Sequence, residues 1–402
     1  MYRLAIIIWF CLSCVSSVSS QQITYGYIDS LSYAQYVAGD WDHLMQTAEI
    51  AKNADISFPL LSMRIGYAAL MKGNNSLSLK HYSNALEFDS YNQDALYYAV
   101  LNNTLLSRRD AASYISLNLN DAIKKPLNVG YKKLVEIIDI ELSFKSTNNE
   151  TRKLGQYYRF GIGNRINYRW KLYHSFITYR QNLLEPNTNQ RNAGPPNRNA
   201  PIRFRSFLTH DYQYFLKSEV CINSKFSLTN AFHYTHTNFD DANYNTYIFN
   251  IGLKITQPFI DYKIELNAGP MLDSLLAQVA LSSTYQPFGN LIFYGNSRLS
   301  FQKRTHQSQL NFSQMLGFKL SNKLWLETHA TLGQIKNLID NDALYIYDAL
   351  DAGKFRIGAS LLIPFTPKLT FQGNYYFEPK ILYLQNNIYN LNSFTLGISW
   401  KL

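Results

Sequence analysis

Hydrophobic and polar positions alternate at the end of the chain. From Phe394 to Leu402 every even position is apolar or aromatic, and every odd position is small or polar. A period of two is typical of a β-strand with one apolar and one polar face. The same alternation recurs from residue 134 onward, interrupted by turn residues. It predicts an antiparallel array of about fourteen strands, with twelve or sixteen still open.

The predicted strands can be placed by their alternation and by the turns between them. We place them near 134–145, 155–164, 170–181, 209–222, 226–238, 247–256, 261–271, 275–286, 291–304, 308–320, 324–334, 353–365, 369–381 and 390–402. Most connections are short, but those near 182–205 and 335–352 are long. We predict that 183–201 is an exposed, mobile loop, and that 335–352 either folds over the mouth of the barrel or is solvated.

Residues 28–125 lack this alternation and are rich in helix formers. Gly39-Asp40 lies 34 residues before Gly73-Asn74, and Ala51 lies 34 residues before Ala85. Small residues at such spacing let paired helices approach closely, and the period resembles that of the tetratricopeptide repeat. The sequence therefore predicts a short α-helical repeat domain over 21–130. A plain helical cap without a repeat is the alternative.

The first twenty residues have the pattern of a signal peptide. Arg3 precedes the apolar stretch Leu4 to Leu12, and Val18-Ser19-Ser20 suits cleavage. The apolar stretch is too short to span a bilayer as a helix. An exported chain with a strand array is typical of an outer-membrane β-barrel. We therefore predict a signal peptide over 1–20, a periplasmic domain over 21–130 and an outer-membrane barrel over 131–402, in contact with outer-membrane lipids.

Charge divides unevenly between the two predicted domains. Residues 21–130 carry 8 Lys+Arg against 10 Asp+Glu, whereas residues 131–402 carry 29 against 18. A basic barrel fits anionic lipid headgroups or an anionic solute. Nucleic acid is excluded as a partner because the chain is predicted to be exported.

Charged side chains on the strands are predicted to face the lumen. Arg or Lys at the lipid-facing midplane costs roughly 2–4 kcal/mol. Such residues either form ion pairs that brace the wall or line a polar pathway for a solute. The candidate lumen-lining residues are Glu141, Arg159, Lys217, Lys254, Lys263, Arg298, Glu327 and Arg356.

The sequence gives little support to catalysis. His233 and His236 lie on opposite faces of one predicted strand, so that strand cannot bind a metal through both. Glu327 and His329 share a face, but no signature links Ser300 to them. There is no glycine-rich phosphate loop, zinc-ligand cluster or nucleophile elbow. We predict no enzyme activity, no cofactor and no metal.

The architecture, the segment Tyr157-Tyr158-Arg159-Phe160-Gly161-Ile162-Gly163 and the terminal strand resemble the YaiO-like outer-membrane barrel family. The resemblance implies an outer-membrane location and little settled chemistry. A more distant similarity is to polysaccharide exporters, whose tetratricopeptide region is much longer. The chain departs from many barrels by ending in Leu402 rather than phenylalanine.

The functional prediction has two forms. The first is a narrow or gated conduit, or an export accessory whose helical cap docks a periplasmic protein. The alternative is a structural or surface-interaction protein with a closed lumen. A barrel of fourteen strands falls between those filled by side chains and those with an open channel, so a narrow or loop-plugged pore is expected.

Overall fold

The computed structural model describes residues 23–127, 129–186, 204–240, 242–271, 274–305, 307–348, 350–383 and 387–402. The predicted signal peptide and most of the predicted loop 183–201 lie outside these residues. Within these residues, seven α-helices precede a closed antiparallel barrel of fourteen strands. The predicted fold class, a helical domain followed by a barrel of about fourteen strands, is confirmed.

The helices begin at regular intervals along the chain. The first six helices form three pairs. The first helices of these pairs begin at Tyr25, Pro59 and Gln93, at intervals of 34 residues, and the second helices begin at the same intervals. A short 3-10 turn, Ser116–Asn118, precedes the last helix. The bounds are α1 Tyr25–Ala38, α2 Trp41–Asn53, α3 Pro59–Met71, α4 Asn75–Phe88, α5 Gln93–Leu105, α6 Arg109–Ile115 and α7 Asp121–Leu127.

The turns within the three pairs keep the same spacing. Gly39, Gly73 and Ser107 have φ of 69°, 73° and 60°, the left-handed region in which glycine is favoured. Asp40 and Asn74 then cap the second helix through their side chains. The third pair departs from this pattern, because its residue at the capping position forms no side-chain cap.

The core of the helical domain depends on close helix approach. The Tyr82 ring is buried and stacks on Tyr98 with ring centroids 4.8 Å apart. Gly66 faces this ring so closely that an added Cβ would lie 2.9 Å from it. No helix within the described ranges is both long and apolar enough to cross a membrane.

The barrel closes where the last strand pairs with the first, with Ile137 opposite Lys401 and Thr147 opposite Leu391. Every barrel strand has two antiparallel neighbours. The barrel strands are β1 Lys133–Thr147, β2 Gly155–Arg165, β3 Trp170–Pro186, β4 Phe204–Cys221, β5 Phe226–Phe239, β6 Ala242–Thr256, β7 Ile260–Met271, β8 Ser274–Tyr285, β9 Phe293–Arg304, β10 Gln307–Ser321, β11 Leu324–Ile335, β14 Ala352–Pro364, β15 Leu369–Ile381 and β16 Ile388–Lys401.

Alternation along each strand separates the two faces of the wall. In β1, Ile140, Leu142 and Phe144 are 43%, 38% and 40% exposed on the outside, while Ser143 is buried on the inside. This follows from the period of two along a strand. The outer face is therefore apolar and the inner face is polar.

Two loops in the structure differ from the sequence-based predictions. Strand β3 continues to Pro186 and β4 begins at Phe204, because the residues predicted as loop ends pair across this hairpin. The connection between β11 and β14 neither covers the mouth nor stays in solvent. It folds into the barrel, where β12 (Ile339–Asp340) and β13 (Tyr345–Ile346) form a small hairpin.

The Gly66–Tyr82 contact makes a testable prediction about the helical domain. Gly66→Ala should lower its free energy of unfolding by about 1–3 kcal/mol, because the new methyl group overpacks the Tyr82 ring. Gly26→Ala is the matched control, since its added Cβ meets nothing within 4 Å. That control should be neutral or stabilising by up to roughly 1 kcal/mol. Thermal unfolding followed by circular dichroism at 222 nm tests both, and equal loss in both variants would contradict the prediction.

Candidate functional site

The candidate site is the lumen, and its main occupant is the hairpin that we call the plug, residues 338–347. Side chains alone do not fill a barrel of this width. The plug enters from the end opposite the helical domain. The chain after it is fixed at Asp351, whose carboxylate accepts bonds from Arg152 Nε at 2.7 Å and Tyr389 Oη at 2.8 Å.

Two apolar side chains of the plug pack against the wall. Ile339 is fully buried against Ile248, Met271 and Leu276. Leu344 packs in a second cluster that includes Phe215. Fully burying one such side chain contributes about 1.5–3 kcal/mol. These contacts hold the plug on the side of the barrel formed by β3 to β8.

Charged side chains of the wall hold the tip of the plug. The Asp342 carboxylate pairs with Lys217 at 2.7 Å and also with Lys263. Its side chain is only 4% exposed, so these pairs are poorly screened by solvent. Asp340 lies 3.5 Å from Arg298 and is 40% exposed. Asp342 is therefore the principal electrostatic anchor of the plug.

Backbone groups of the plug are also satisfied by wall side chains. The Gln278 amide donates to Ile339 O at 2.7 Å and accepts from Ile339 N at 3.1 Å. His233 Nδ1 lies 2.6 Å from Ala343 O. Asn341, Asp342 and Ala343 all have positive φ, from 51° to 66°. This conformation costs free energy in residues with a side chain, and the surrounding contacts offset that cost.

Beside the plug lies a cavity of about 890 Å³. It is bounded by the plug at Leu344, Tyr345 and Tyr347, and by the helical domain at Ser107 and Arg109. Eight Lys or Arg side chains line it, against five Asp or Glu, among the described residues. The cavity therefore has the size of a small-molecule site and an excess of positive charge.

Four predicted lumen residues line this cavity: Glu141, Arg159, Lys217 and Arg356. Arg159 pairs with Glu141 at 2.6 Å, and the same carboxylate accepts a bond from plug residue Tyr345 at 3.0 Å. Lys217 is committed to Asp342. These three therefore brace the wall and the plug.

The other four lie outside the cavity. Lys263 and Arg298 share Glu265 and contact the plug. Lys254 pairs with Asp261 at 3.3 Å. Glu327 accepts a bond from Tyr294 Oη at 2.7 Å. Since all four are bonded within the wall or to the plug, they form a brace around the cavity.

Arg356 is the exception among the predicted residues. Its guanidinium carbon lies 3.9 Å from the centroid of the Tyr376 ring and 5.0 Å from that of Tyr347. It also donates to Tyr347 Oη, and its Nε is buried without a hydrogen-bond partner. No carboxylate pairs with it among the described residues.

The helical domain is fixed to the barrel by residues that the sequence did not single out. Arg108, at the capping position of the third helix pair, instead pairs with Asp261 at 2.9 Å. It also donates to Pro258 O at 3.1 Å and Gln286 Oε1 at 3.2 Å. The only available signal was a departure of the third turn from Gly-Asp and Gly-Asn.

A second charged contact joins the two parts. Asp110 of α6 pairs with Lys171 at the start of β3. Burial raises the pKa of the Asp110 carboxyl, but the charges of Lys171 and Arg165, together with hydrogen bonds from Lys171 and Glu219, outweigh it and hold that pKa below its ordinary value. This carboxylate therefore stays charged and keeps the helical domain against the barrel.

The geometry around His329 does not form a catalytic triad. His329 Nε2 lies 3.0 Å from Ser360 Oγ and 3.7 Å from Glu327. A triad needs the carboxylate on the other ring nitrogen. No group of three or more metal-ligating side chains occurs within the described part of the chain.

The barrel is remotely similar to several solved structures. No protein-family model and no curated protein matches the chain. The Pseudomonas putida toluene transporter TodX is 8% identical, with 66% of this chain and 89% of that one covered and a TM-score of 0.47. A bacterial polysaccharide outer-membrane secretin is 8% identical, covering 67% and 99%, with a TM-score of 0.40.

A third structure, Omp33 of Acinetobacter baumannii, is 7% identical, covering 67% of this chain and 99% of that one, with a TM-score of 0.37. Likenesses this remote carry no argument about function. The resemblance to the YaiO-like family stays a prediction.

The two aspartates of the plug allow a matched test. Asp342→Asn should increase hydrogen exchange of the plug amides by tenfold or more, because it leaves Lys217 and Lys263 without their shared partner, at a cost of several kcal/mol. Asp340→Asn removes the same charge from the more exposed site and should change exchange by less than about threefold. Hydrogen exchange with mass spectrometry on peptides covering 338–347 measures both. Equal protection in the two variants would show that Asp342 is not the anchor.

Proposed function

We propose that this protein is an outer-membrane conduit whose lumen is closed by the plug and covered on one side by a periplasmic helical domain. The observation that carries the proposal is the 890 Å³ charged cavity inside the barrel, which lies between the plug and the helical domain.

The outer surface of the barrel supports a membrane location. Phe176, Phe249, Leu281 and Leu396 are each 53–65% exposed on four different strands. Continuous apolar surface on this scale is unfavourable in water and favourable in a bilayer. Because every barrel strand is paired on both sides, no backbone edge needs water.

The orientation follows from loop lengths. The helical domain contacts short turns, including those at Pro258 and Gly289. The two longest connections, between Pro186 and Phe204 and between Ile335 and Ala352, lie at the opposite end. Outer-membrane barrels have short periplasmic turns and longer outer loops. This favours a periplasmic helical domain.

The closure of the lumen favours a gated conduit over a rigid scaffold. The plug is held by two apolar side chains and several polar contacts, and the strained turn at 341–343 opposes them. Such a loop can move without breaking the pairing between the barrel strands. The cavity beside it is lined by charged side chains, so water would enter the space that the plug leaves.

The helical domain supports a second element of the proposal. Its 34-residue spacing is that of tetratricopeptide repeats, which commonly bind protein segments. Tyr25, Tyr27 and Tyr33 of α1 are each more than half exposed. We propose that this domain docks a periplasmic protein.

Single-channel recording in planar bilayers tests the conduit. The full chain should give rare, short openings, because the plug occupies the lumen. A variant with 338–347 replaced by a short Gly-Ser linker should give long openings of larger conductance. Since basic residues exceed acidic ones around the cavity, the current should favour anions.

Two further variants make the recording decisive. Asp340→Asn is the control and should resemble the full chain. A variant lacking residues 21–125 shows whether the helical domain also limits the current. If the barrel without the plug folds, as judged by circular dichroism at 216 nm, and carries no current, the conduit is wrong and the closed-lumen scaffold is favoured.

A further inference from the structure

Most charged side chains inside the described part of the barrel pair with an opposite charge, but the cavity-lining cations Arg356 and Lys145, beside the plug, do not. Arg356 of β14 and Lys145 of β1 both line the cavity. Neither forms an ion pair with a carboxylate among the described residues. In contrast, Arg159, Lys171 and Lys217, which line the same cavity, all have acidic partners.

Arg356 carries a permanent charge with free donors. Its guanidinium is positioned by the rings of Tyr376 and Tyr347, and its buried Nε–H has no acceptor. Arginine does not lose its proton in proteins, so burial cannot neutralise it. Cation–π contacts offset only part of the cost, about 0.5–2 kcal/mol each. The Nε edge is therefore suited to the oxygen atoms of a carboxylate or phosphate group.

Lys145 presents a second charge to the same end of the cavity. Its ammonium lies 4.9 Å from the centroid of the Tyr179 ring and 6.0 Å from that of Tyr157. The charges of Arg356 and Lys380 repel it. Tyr157 adds a buried hydroxyl that has no hydrogen-bond partner.

The carboxylates whose charges attract these two cations form no ion pair with them. Glu378 pairs with Lys380 at 3.2 Å. Asp211 interacts with Thr237 and Gln213 on its side of the wall. Both carboxylates act on Lys145 only through longer-range attraction. The two cations, two buried donors and an adjoining cavity therefore form one site without its counter-ion.

We propose that this site binds the carboxylate or phosphate group of a small hydrophilic solute between Arg356 and Lys145, with Tyr157 donating a further hydrogen bond. The neighbouring tyrosine faces are already occupied by the two cations, so the site recognises an anionic group rather than a ring. The inference rests on the proposed conduit only for the route by which the solute enters.

The site is also connected to the plug. Tyr347 holds Arg356 through both its ring and its hydroxyl, and it belongs to the plug. An anion bound to Arg356 therefore contacts a side chain that the plug itself orients. Release of the plug removes this support.

Isothermal titration of the full chain in neutral detergent tests the site, with inorganic phosphate and acetate as separate probes and no other oxyanion in the buffer. Arg356→Gln should weaken binding about tenfold or more, since it removes a charge-assisted hydrogen bond. Lys145→Gln should weaken it severalfold. The two probes distinguish a phosphate-bearing from a carboxylate-bearing solute.

Lys401→Gln is the matched control. Lys401 lines the same cavity and has no ion-pair partner among the described residues, but it lies opposite Ile137, eight residues along β1 from Lys145. That is roughly 27 Å at 3.4 Å per residue, well beyond the screening length. The control should change binding by less than about twofold. Arg356→Lys, which keeps the charge but loses the planar donor edge, should give an intermediate loss.

The proposal is overturned if the Gln variants of Arg356 and Lys145, each folded by circular dichroism, bind both probes as the unmodified chain does. It is also overturned if Lys401→Gln loses as much affinity, because the effect would then be the general charge of the lumen. Binding without any current from the plug-less barrel would sink the conduit and keep the site. Current without binding would do the reverse.

Discussion

The width of a fourteen-stranded ring is the constraint on which the rest of this structure depends. Closing the sheet satisfies every strand edge, with Ile137 opposite Lys401 at the seam. The ring so formed encloses more space than the wall side chains can fill. The chain fills part of it with residues 338–347, and the remaining space becomes the cavity. The width of the ring thus accounts for both the plug and the cavity.

Charge inside such a ring has few choices. Arg and Lys are costly at the middle of the apolar outer face, so most of these side chains turn inward, where water is limited and an unpaired charge is expensive. Asp342 between Lys217 and Lys263, and Glu141 beside Arg159, show the usual solution. Arg356 departs from this arrangement, because it forms no ion pair with a carboxylate among the described residues. Whether a charged side chain braces the wall or can bind a ligand thus depends on whether it has an oppositely charged partner, not on its residue type.

The sequence predicts the wall well and allows for a plugged pore, but it does not predict the contacts of the plug, for physical reasons. Alternation as in Phe394 to Leu402 is imposed locally by the strand itself, so fourteen strands were recognised near their observed positions. The plug has no period, and its turn uses positive φ at Asn341 to Ala343. Its anchor Asp342 meets Lys217, which is 125 residues away. Such contacts depend on the closed barrel and leave no local pattern.

The helical domain shows the same limit on a smaller scale. The 34-residue period was visible at Gly39 and Gly73, because the turn itself requires a residue tolerant of positive φ. The role of Arg108 was not visible, since its partner Asp261 is brought near only when the two parts of the chain meet. The eight charged candidates can be recognised from the alternation of side chains along each strand. Which of them keep a hydrogen-bond donor without an acceptor depends on neighbours from other strands.

The seam of the barrel has a consequence for how the molecule is assembled. Its two strands are separated by almost the whole barrel sequence, as the pairing of Ile137 with Lys401 shows. Contacts of such high sequence separation form slowly, and until they form both terminal strands expose unpaired edges. The ring can be sealed only after β16 has been synthesised, and the plug must be enclosed by then. Until the ring closes, the open edges of β1 and β16 can pair with another chain, so the rate of closure decides between folding and aggregation.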